Sequence, residues 1–247
     1  MAEGAWVVFL ICAFGAEVIG TMAGFGAATI LTPIAALFMD VKVAIAIVAC
    51  FHLFGNISRL MFFGRHIHWK MCAQFGVPGV LCTLAGAAVT AGLSSATVKL
   101  AFGLFLLLYV GCSTLMSDRM RLPQHPSTLI GGGVLSGFIA GLIGTGGAVR
   151  SACLLAFDLP KEVYIGTSAA IALVVDATRL PVYLAGRFIP GQLVPIIITL
   201  IGSAFAGAWL GQRLVRRVSA AAFKRFVLTM LLLMGVKMLL DGWHGLV

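Results

Sequence analysis

The sequence predicts an all-α integral membrane protein of two inverted repeats, residues 1–122 and 123–247, each a broken-helix hairpin plus three transmembrane helices. Three observations carry this. Of 247 residues, 61% are apolar and 10% charged, with a mean hydropathy of +1.09. A soluble domain carries about 25% charged residues, and disordered chains are far less apolar. The apolar residues fall into stretches of membrane length, and one motif recurs 120 residues apart.

The stretches run approximately 4–39, 41–63, 71–93, 97–117, 127–157, 162–185, 189–211 and 221–241. A crossing takes about 20 helical residues, so six of the eight make one crossing each. The first and fifth are too long for one pass and short for two. Each holds a glycine-rich break, Gly24-Phe25-Gly26 or Gly144-Thr145-Gly146-Gly147, which predicts a hairpin of shorter helices. Non-helical backbone at membrane depth is tolerated only inside protein or along a cavity, so the breaks are candidate sites. The first stretch follows Glu3 instead of a basic segment and leads into more membrane-like sequence; it reads as mature protein, not as a signal peptide.

The basic residues set orientation. If each hairpin returns to its starting side, Arg65, Lys70, Arg119, Arg121, Lys161, Arg213, Arg216, Arg217, Lys224 and Arg225 share one face. Lys42, Lys99, Arg187 and Lys237 occupy the other. Ten against four makes the first face cytoplasmic. The excess of seventeen Lys+Arg over eight Asp+Glu therefore reflects topology, and nucleic acid is not a partner. The six cysteines lie inside apolar segments without zinc or redox spacing, so no metal or cofactor is expected.

A shift of 120 places Gly24 on Gly144, Gly26 on Gly146, and Asn56-Ile57-Ser58-Arg59-Leu60 on Asp176-Ala177-Thr178-Arg179-Leu180. With an odd number of crossings per half, the second copy is inverted. Paired broken helices in inverted repeats hold small ligands near the bilayer midplane. Helices restarting after Gly26 and Gly147 aim unpaired N–H groups and positive dipole ends into a shared space, an arrangement suited to an oxyanion. Thr145 adds a hydroxyl, with Phe25 as its counterpart. Close helix packing is the other reading of these glycines, and the preferred one for Gly131-Gly132-Gly133.

The runs G-F-G-A-A-x-x-L-T-P at 24–33, G-T-G-G at 144–147 and G-T-S-A-A at 166–170 resemble the TauE/SafE sulfite-exporter family over nearly the whole chain. The first break departs from the family's G-x-G-G run, and Cys153 stands where Pro33 has its counterpart. The resemblance implies a multi-pass protein of the cell (inner or plasma) membrane that exports small sulfur-containing oxyanions such as sulfite or organosulfonates. It implies no enzymatic activity. An anion channel and an accessory membrane subunit stay open as alternatives, as does a homodimer.

The expected substrate-binding set is Gly24, Phe25, Gly26, Asn56, Arg59, Gly144, Thr145, Gly146, Gly147, Thr178 and Arg179. An arginine within an apolar span costs at least about 2.5 kcal/mol and so faces protein or water. Snorkelling to the interface is the competing reading for both arginines, and an ion pair with Asp176 is a further one for Arg179. Driving an anion uphill by protons needs a titratable group at membrane depth: Asp176 first, then His52 and Glu17. Arg150, in the first turn after the second break, either adds charge to the site or caps a cavity rim.

Overall fold

The computed structural model describes residues 3–24, 26–115, 122–214 and 220–246. Phe25, Arg119, Arg121, Arg216 and Arg217 lie outside them, as does the side chain of Lys224. The described residues form helices α1 (Glu3–Ala23), α2 (Ala28–Ala35), α3 (Val41–Phe63), α4 (Trp69–Gly92), α5 (Ser95–Leu115), α6 (Pro126–Ile143), α7 (Gly147–Leu155), α8 (Lys161–Ala185), α9 (Val194–Leu214) and α10 (Ala220–His244). There is no strand among them, and eight helices, all but α2 and α7, are long and apolar enough to cross a membrane.

Both long stretches break at the predicted glycines, but the hairpin arms are unequal. α1 has 21 residues and α6 has 18, whereas α2 has 8 and α7 has 9. At 1.5 Å per residue the short arms rise only about 12–14 Å. The reversals need left-handed backbone, which glycine adopts without a Cβ penalty: φ is +75° at Gly24, +89° at Gly26 and +81° at Gly144. Each hairpin returns to the end it left. Phe9 of α1 meets Phe38 just past α2, with ring centroids 5.8 Å apart. Gln124, just before α6, donates to Asp158, just past α7, at 3.0 Å.

Tracing side chains along the bundle places the described cations. Arg65, Lys70, Lys161, Arg213 and Arg225 lie at one end, here the Lys161 end; Lys42, Lys99, Arg187 and Lys237 lie at the other. The register comes from His68 N–H donating to Thr167 Oγ1 (2.9 Å), Lys42 Nζ donating to Ala91 O (3.4 Å), and the close approaches of Gly211 to Val18 and Gly242 to Leu100.

The helices pack in three groups. α9 lies on α1 and α3, which also hold α2; α4 lies on α6 and α8, which also hold α7; α5 pairs with α10. Each broken hairpin is thus braced by a helix from the other half of the chain. The α4–α6 seam is close because glycines line it: a Cβ on Gly137 would land on the Gly79 backbone and one on Gly133 on Phe75 O, while Thr83 Oγ1 donates to Gly137 O at 3.0 Å. Gly131, in the same run, faces open space. Gly137→Ala is therefore expected to destabilise by about 1–3 kcal/mol through overpacking. Gly131→Ala is expected to be neutral, or stabilising by up to about 1 kcal/mol through helix propensity. The unfolding midpoints of the two detergent-purified variants check this.

Candidate functional site

A stripe of charge runs through the apolar core where α1, α3, α6 and α8 meet. The side chains involved are closed off from solvent: Glu17 is 0% exposed, Arg179 1%, Asp176 2%, Arg59 3%, His52 4% and Arg150 4%. In such surroundings every ion needs a partner at its own depth.

Arg59 finds its partners across the helix pair α1–α3. Its Nη2 pairs with Glu17 Oε1, its Nε donates to Thr21 Oγ1 at 3.0 Å, and its Nη1 donates to Asn56 Oδ1 at 2.7 Å. Thr21 Oγ1 donates in turn to Glu17 Oε1 at 3.1 Å. Gly55 makes room, since a Cβ there would press on the Glu17 carboxylate. Arg179 binds Asp176 Oδ1 through Nε and Nη2 (3.0 and 2.7 Å), and its Nη1 donates to Ala140 O at 2.7 Å, on the last turn of α6. A cation there also complements the negative end of that helix. Tyr183 OH donates to the next carbonyl, Gly141 O, at 2.6 Å. Both arginines are buried in ion pairs: the alternative raised for Arg179 describes its pair with Asp176, whereas the pair of Arg59 with Glu17 was not anticipated.

The two arginine systems are joined by hydrogen bonds. Asn56 Nδ2 donates to Asp176 Oδ2 at 3.1 Å, and His52 Nδ1 lies 2.7 Å from the same oxygen. Beyond His52 comes the first break: the imidazole Nε2 lies against Gly26, where any Cβ would collide with it.

The breaks themselves converge. Thr29, in the first turn of α2, and Thr145, in the second break, share a hydrogen bond of 2.7 Å. Neither short helix has a side-chain cap at its start; the N-cap residues are Ala27 and Gly146. Arg150 sits one turn into α7. Its Nε donates to Ser168 Oγ at 3.0 Å, and Ser168 Oγ donates to Gly24 O at 2.9 Å. On the Lys161 side the Tyr164 ring covers Gly24, with its OH donating to Ser151 Oγ at 2.8 Å. Outside that ring lies a cavity of about 270 Å³ lined by Met22, Leu155, Leu159, Lys161, Tyr164 and Ile165.

Of the expected residues, Asn56, Arg59, Asp176, Arg179, His52 and Glu17 share the charged stripe. Gly24, Gly26, Gly144, Thr145, Gly146 and Gly147 lie at the breaks. Thr178 is not brought in: its hydroxyl turns back to Val174 O at 2.7 Å. Sequence reasoning did not single out Thr21, Thr29, Ser151, Tyr164, Ser168 or Tyr183. Some signals existed, because Thr29 and Ser168 stand inside the two motif runs, and Tyr164 and Tyr183 are two of only three tyrosines. Among the described residues no group of His, Cys, Asp and Glu could hold a metal ion.

Eight membrane-length helices enclosing a polar core, with two half-length helices meeting start to start inside it, define a multi-pass membrane protein of the transporter class. The chain belongs to the sulfite exporter TauE/SafE family, whose profile matches residues 9–238. Over 91 residues it is 33% identical to the Arabidopsis thaliana "Sulfite exporter TauE/SafE family protein 3", a match covering 36% of this chain and 18% of that protein. The chain thus matches less than a fifth of the length of that relative. No solved structure matches it. The family consists of membrane transporters, not enzymes.

The ion pairs make a stability prediction. Breaking a buried pair by removing one member costs about 3–5 kcal/mol, because the other charge is stranded. Arg59→Met should lower the unfolding midpoint sharply by stranding Glu17. The double variant Glu17→Gln/Arg59→Met should recover much of that loss, a coupling that a double-mutant cycle on the purified protein measures.

Proposed function

We propose that the chain is a secondary transporter, in the export direction, of small sulfur-containing oxyanions such as sulfite or organosulfonates. It would work by alternating access of two inverted repeats in the cell (inner or plasma) membrane. The observation that carries the reading is the meeting of two uncapped helix starts at Thr29 and Thr145, beside the buried Arg150.

At such a meeting point the first N–H groups of α2 and α7 have no intrahelical acceptors, and both dipoles present their positive ends. One of the two threonine hydroxyls donates to the other, which leaves the second O–H to donate elsewhere. In the reading proposed here the anion takes the unpaired N–H groups at the starts of α2 and α7, that hydroxyl, and the field of Arg150, while Gly26 N–H stays on Gly20 O at 3.2 Å. Arg59, Arg179 and Asn56 shape the wall behind it, and Asp176, His52 and Glu17 are the groups through which protons couple to transport. Among the described residues the buried charges are three arginines against Glu17 and Asp176, an excess of one positive charge that suits an anionic guest.

Alternating access is supported by the packing. The group α1–α2–α3–α9 and the group α6–α7–α8–α4 exchange one helix each, as related repeats do, and they face one another along α3 and α8, where the site lies. The cavity outside Tyr164 opens toward the Lys161 end. Toward the Lys42 end the rings of Tyr183 and Phe188 stack at 5.3 Å, with Lys42 Nζ 5.3 Å over Phe188. The surplus of basic residues makes the Lys161 end cytoplasmic, so the cavity faces the side from which an exporter loads.

The test is the stability of detergent-purified protein against sulfite, sulfate, thiosulfate, sulfoacetate and taurine, with phosphate and acetate as comparisons. An anion at 100 times its dissociation constant adds about 2.7 kcal/mol. A shifted midpoint is expected with sulfur oxyanions and is expected to vanish in Arg150→Gln. In liposomes, flux should saturate and be drivable uphill. Flux that never saturates would mean a channel; no shift and no flux would mean an accessory subunit.

A further inference from the structure

His52 has one edge committed and one edge bare. Asp176 Oδ2 is an acceptor 2.7 Å from Nδ1, so Nδ1 carries the proton in that contact; the opposite tautomer would set a lone pair against a carboxylate. Asn56 Nδ2, turned this way by Arg59 Nη1 donating to Oδ1, also lies 3.2 Å from His52 Nδ1, but the carboxylate contact at 2.7 Å is shorter and charged and so decides the tautomer. With Nδ1–H spent on Asp176, neutral His52 presents a lone pair at Nε2. That atom is buried, has no hydrogen-bond partner among the described residues, and abuts Gly26 in the first break.

Asp176 itself is saturated. Its Oδ1 takes two N–H groups from Arg179, and its Oδ2 takes one from His52 and one from Asn56. Protonating it would sacrifice at least one of these bonds. Protonating His52 at Nε2 sacrifices none. It creates an N–H that needs an acceptor at the break, and an oxyanion there is an acceptor in need of a donor.

We infer that His52 Nε2 is the proton site of this transporter, and that a proton on Nε2 and an oxyanion oxygen beside Gly26 bind as a pair, each tightening the binding of the other. This rests on the anion reading above. The charged and titratable groups facing His52 are Glu17 on α1, Arg59 on its own helix, and Asp176 with its partner Arg179 on α8. Arg150 on α7 adds its charge near Asp176, and of the first break's described residues Gly26 lies against the ring. Glu17 is the rival proton site, because its Oε2 is also buried without a partner among the described residues. The proton enters from the loading side, resides on Nε2 while the anion is bound, and leaves with it. A dianion with one proton then crosses with a single net negative charge, which an inside-negative potential drives outward; a monoanion crosses as a neutral pair.

Calorimetry of the purified full chain tests this. Binding of sulfate and methanesulfonate, neither of which titrates between about pH 5 and 8, and of sulfite with its own titration subtracted, is measured in buffers of different ionisation enthalpy. The difference in heat gives the protons taken up. The expected result is uptake approaching about one proton per anion above the range in which His52 is already protonated, with affinity falling up to about tenfold per pH unit there. His52→Gln should bind anion with no uptake and no such pH dependence. Anion binding to the unaltered protein with no proton uptake overturns the inference and leaves the anion reading standing. Uptake that persists in His52→Gln and disappears in Glu17→Gln moves the site to Glu17 and overturns it equally. If none of the three anions binds, the anion reading itself falls and this one with it.

Discussion

Two arginines inside an apolar bundle must each be met by acceptors at their own depth, and that requirement organises the molecule. Each arginine stands one turn past a polar residue, Asn56 or Asp176, and each reaches the last turn of the helix before its break. The chemistry of that reach differs. At Arg59 the acceptors are side chains on α1, Glu17 and Thr21. The corresponding positions on α6, 120 residues later, are Gly137 and Gly141. There a bare backbone lets Arg179 take the carbonyl of Ala140 directly, while the acid has moved onto the arginine's own helix as Asp176. Each of these two arginines has one acid, on a neighbouring helix for Arg59 and on its own helix for Arg179.

Composition, stretch length and glycine placement made most of the fold legible. The ten helices begin and end within a few residues of the apolar stretches, and both breaks fall where Gly24, Gly26 and Gly144 predict. These are local properties, set by hydrocarbon thickness and by which residues tolerate positive φ. The unequal arms were not legible. An apolar run shows how much helix the membrane contains, but the depth at which it turns depends on what the turn packs against, here Tyr164 at Gly24 and Ile45 at Gly144. The partners of the arginines were legible by half. Asp176 lies three residues from Arg179, on the same face of one helix. Glu17 lies 42 residues from Arg59, and no periodicity within either helix links them. The bare edge of His52 is a matter of ring orientation, which follows only once its neighbours are placed.

The ion pairs also bear on how an anion can be held. Glu17 beside Arg59 and Asp176 beside Arg179 are each close to neutral as seen from the breaks, so the pairs act there as dipoles. Recruiting either guanidinium as a direct ligand would strand a carboxylate in a medium where that costs several kcal/mol. Helix starts impose no such cost, since their N–H groups have no partner to lose. A site built from backbone donors and one additional buried arginine can therefore hold an anion firmly and still release it.

The strong and weak contacts divide along the same line. Both ion pairs lie inside a packing group: Glu17–Arg59 joins α1 to α3, and Arg179 with Asp176 joins α8 to α6. The glycine seam of α4 on α6 is likewise internal. Beside the packing of α3 on α8, the polar contacts crossing between the groups are of another kind: His52 to Asp176, Asn56 to Asp176, Thr29 to Thr145, and Ser168 to Gly24 O. These are hydrogen bonds, and net values for such bonds run about 0.5–3 kcal/mol. An anion or water can replace them one for one, whereas nothing small replaces a helix seam or a buried ion pair. Motion of one group against the other would thus exchange bonds at the site while leaving the Glu17–Arg59 and Asp176–Arg179 pairs intact. Under the alternating access proposed above, each repeat would therefore move together with the helix it has received from the other half, because separating the chain at its midpoint would tear α4 from α6 and α9 from α1.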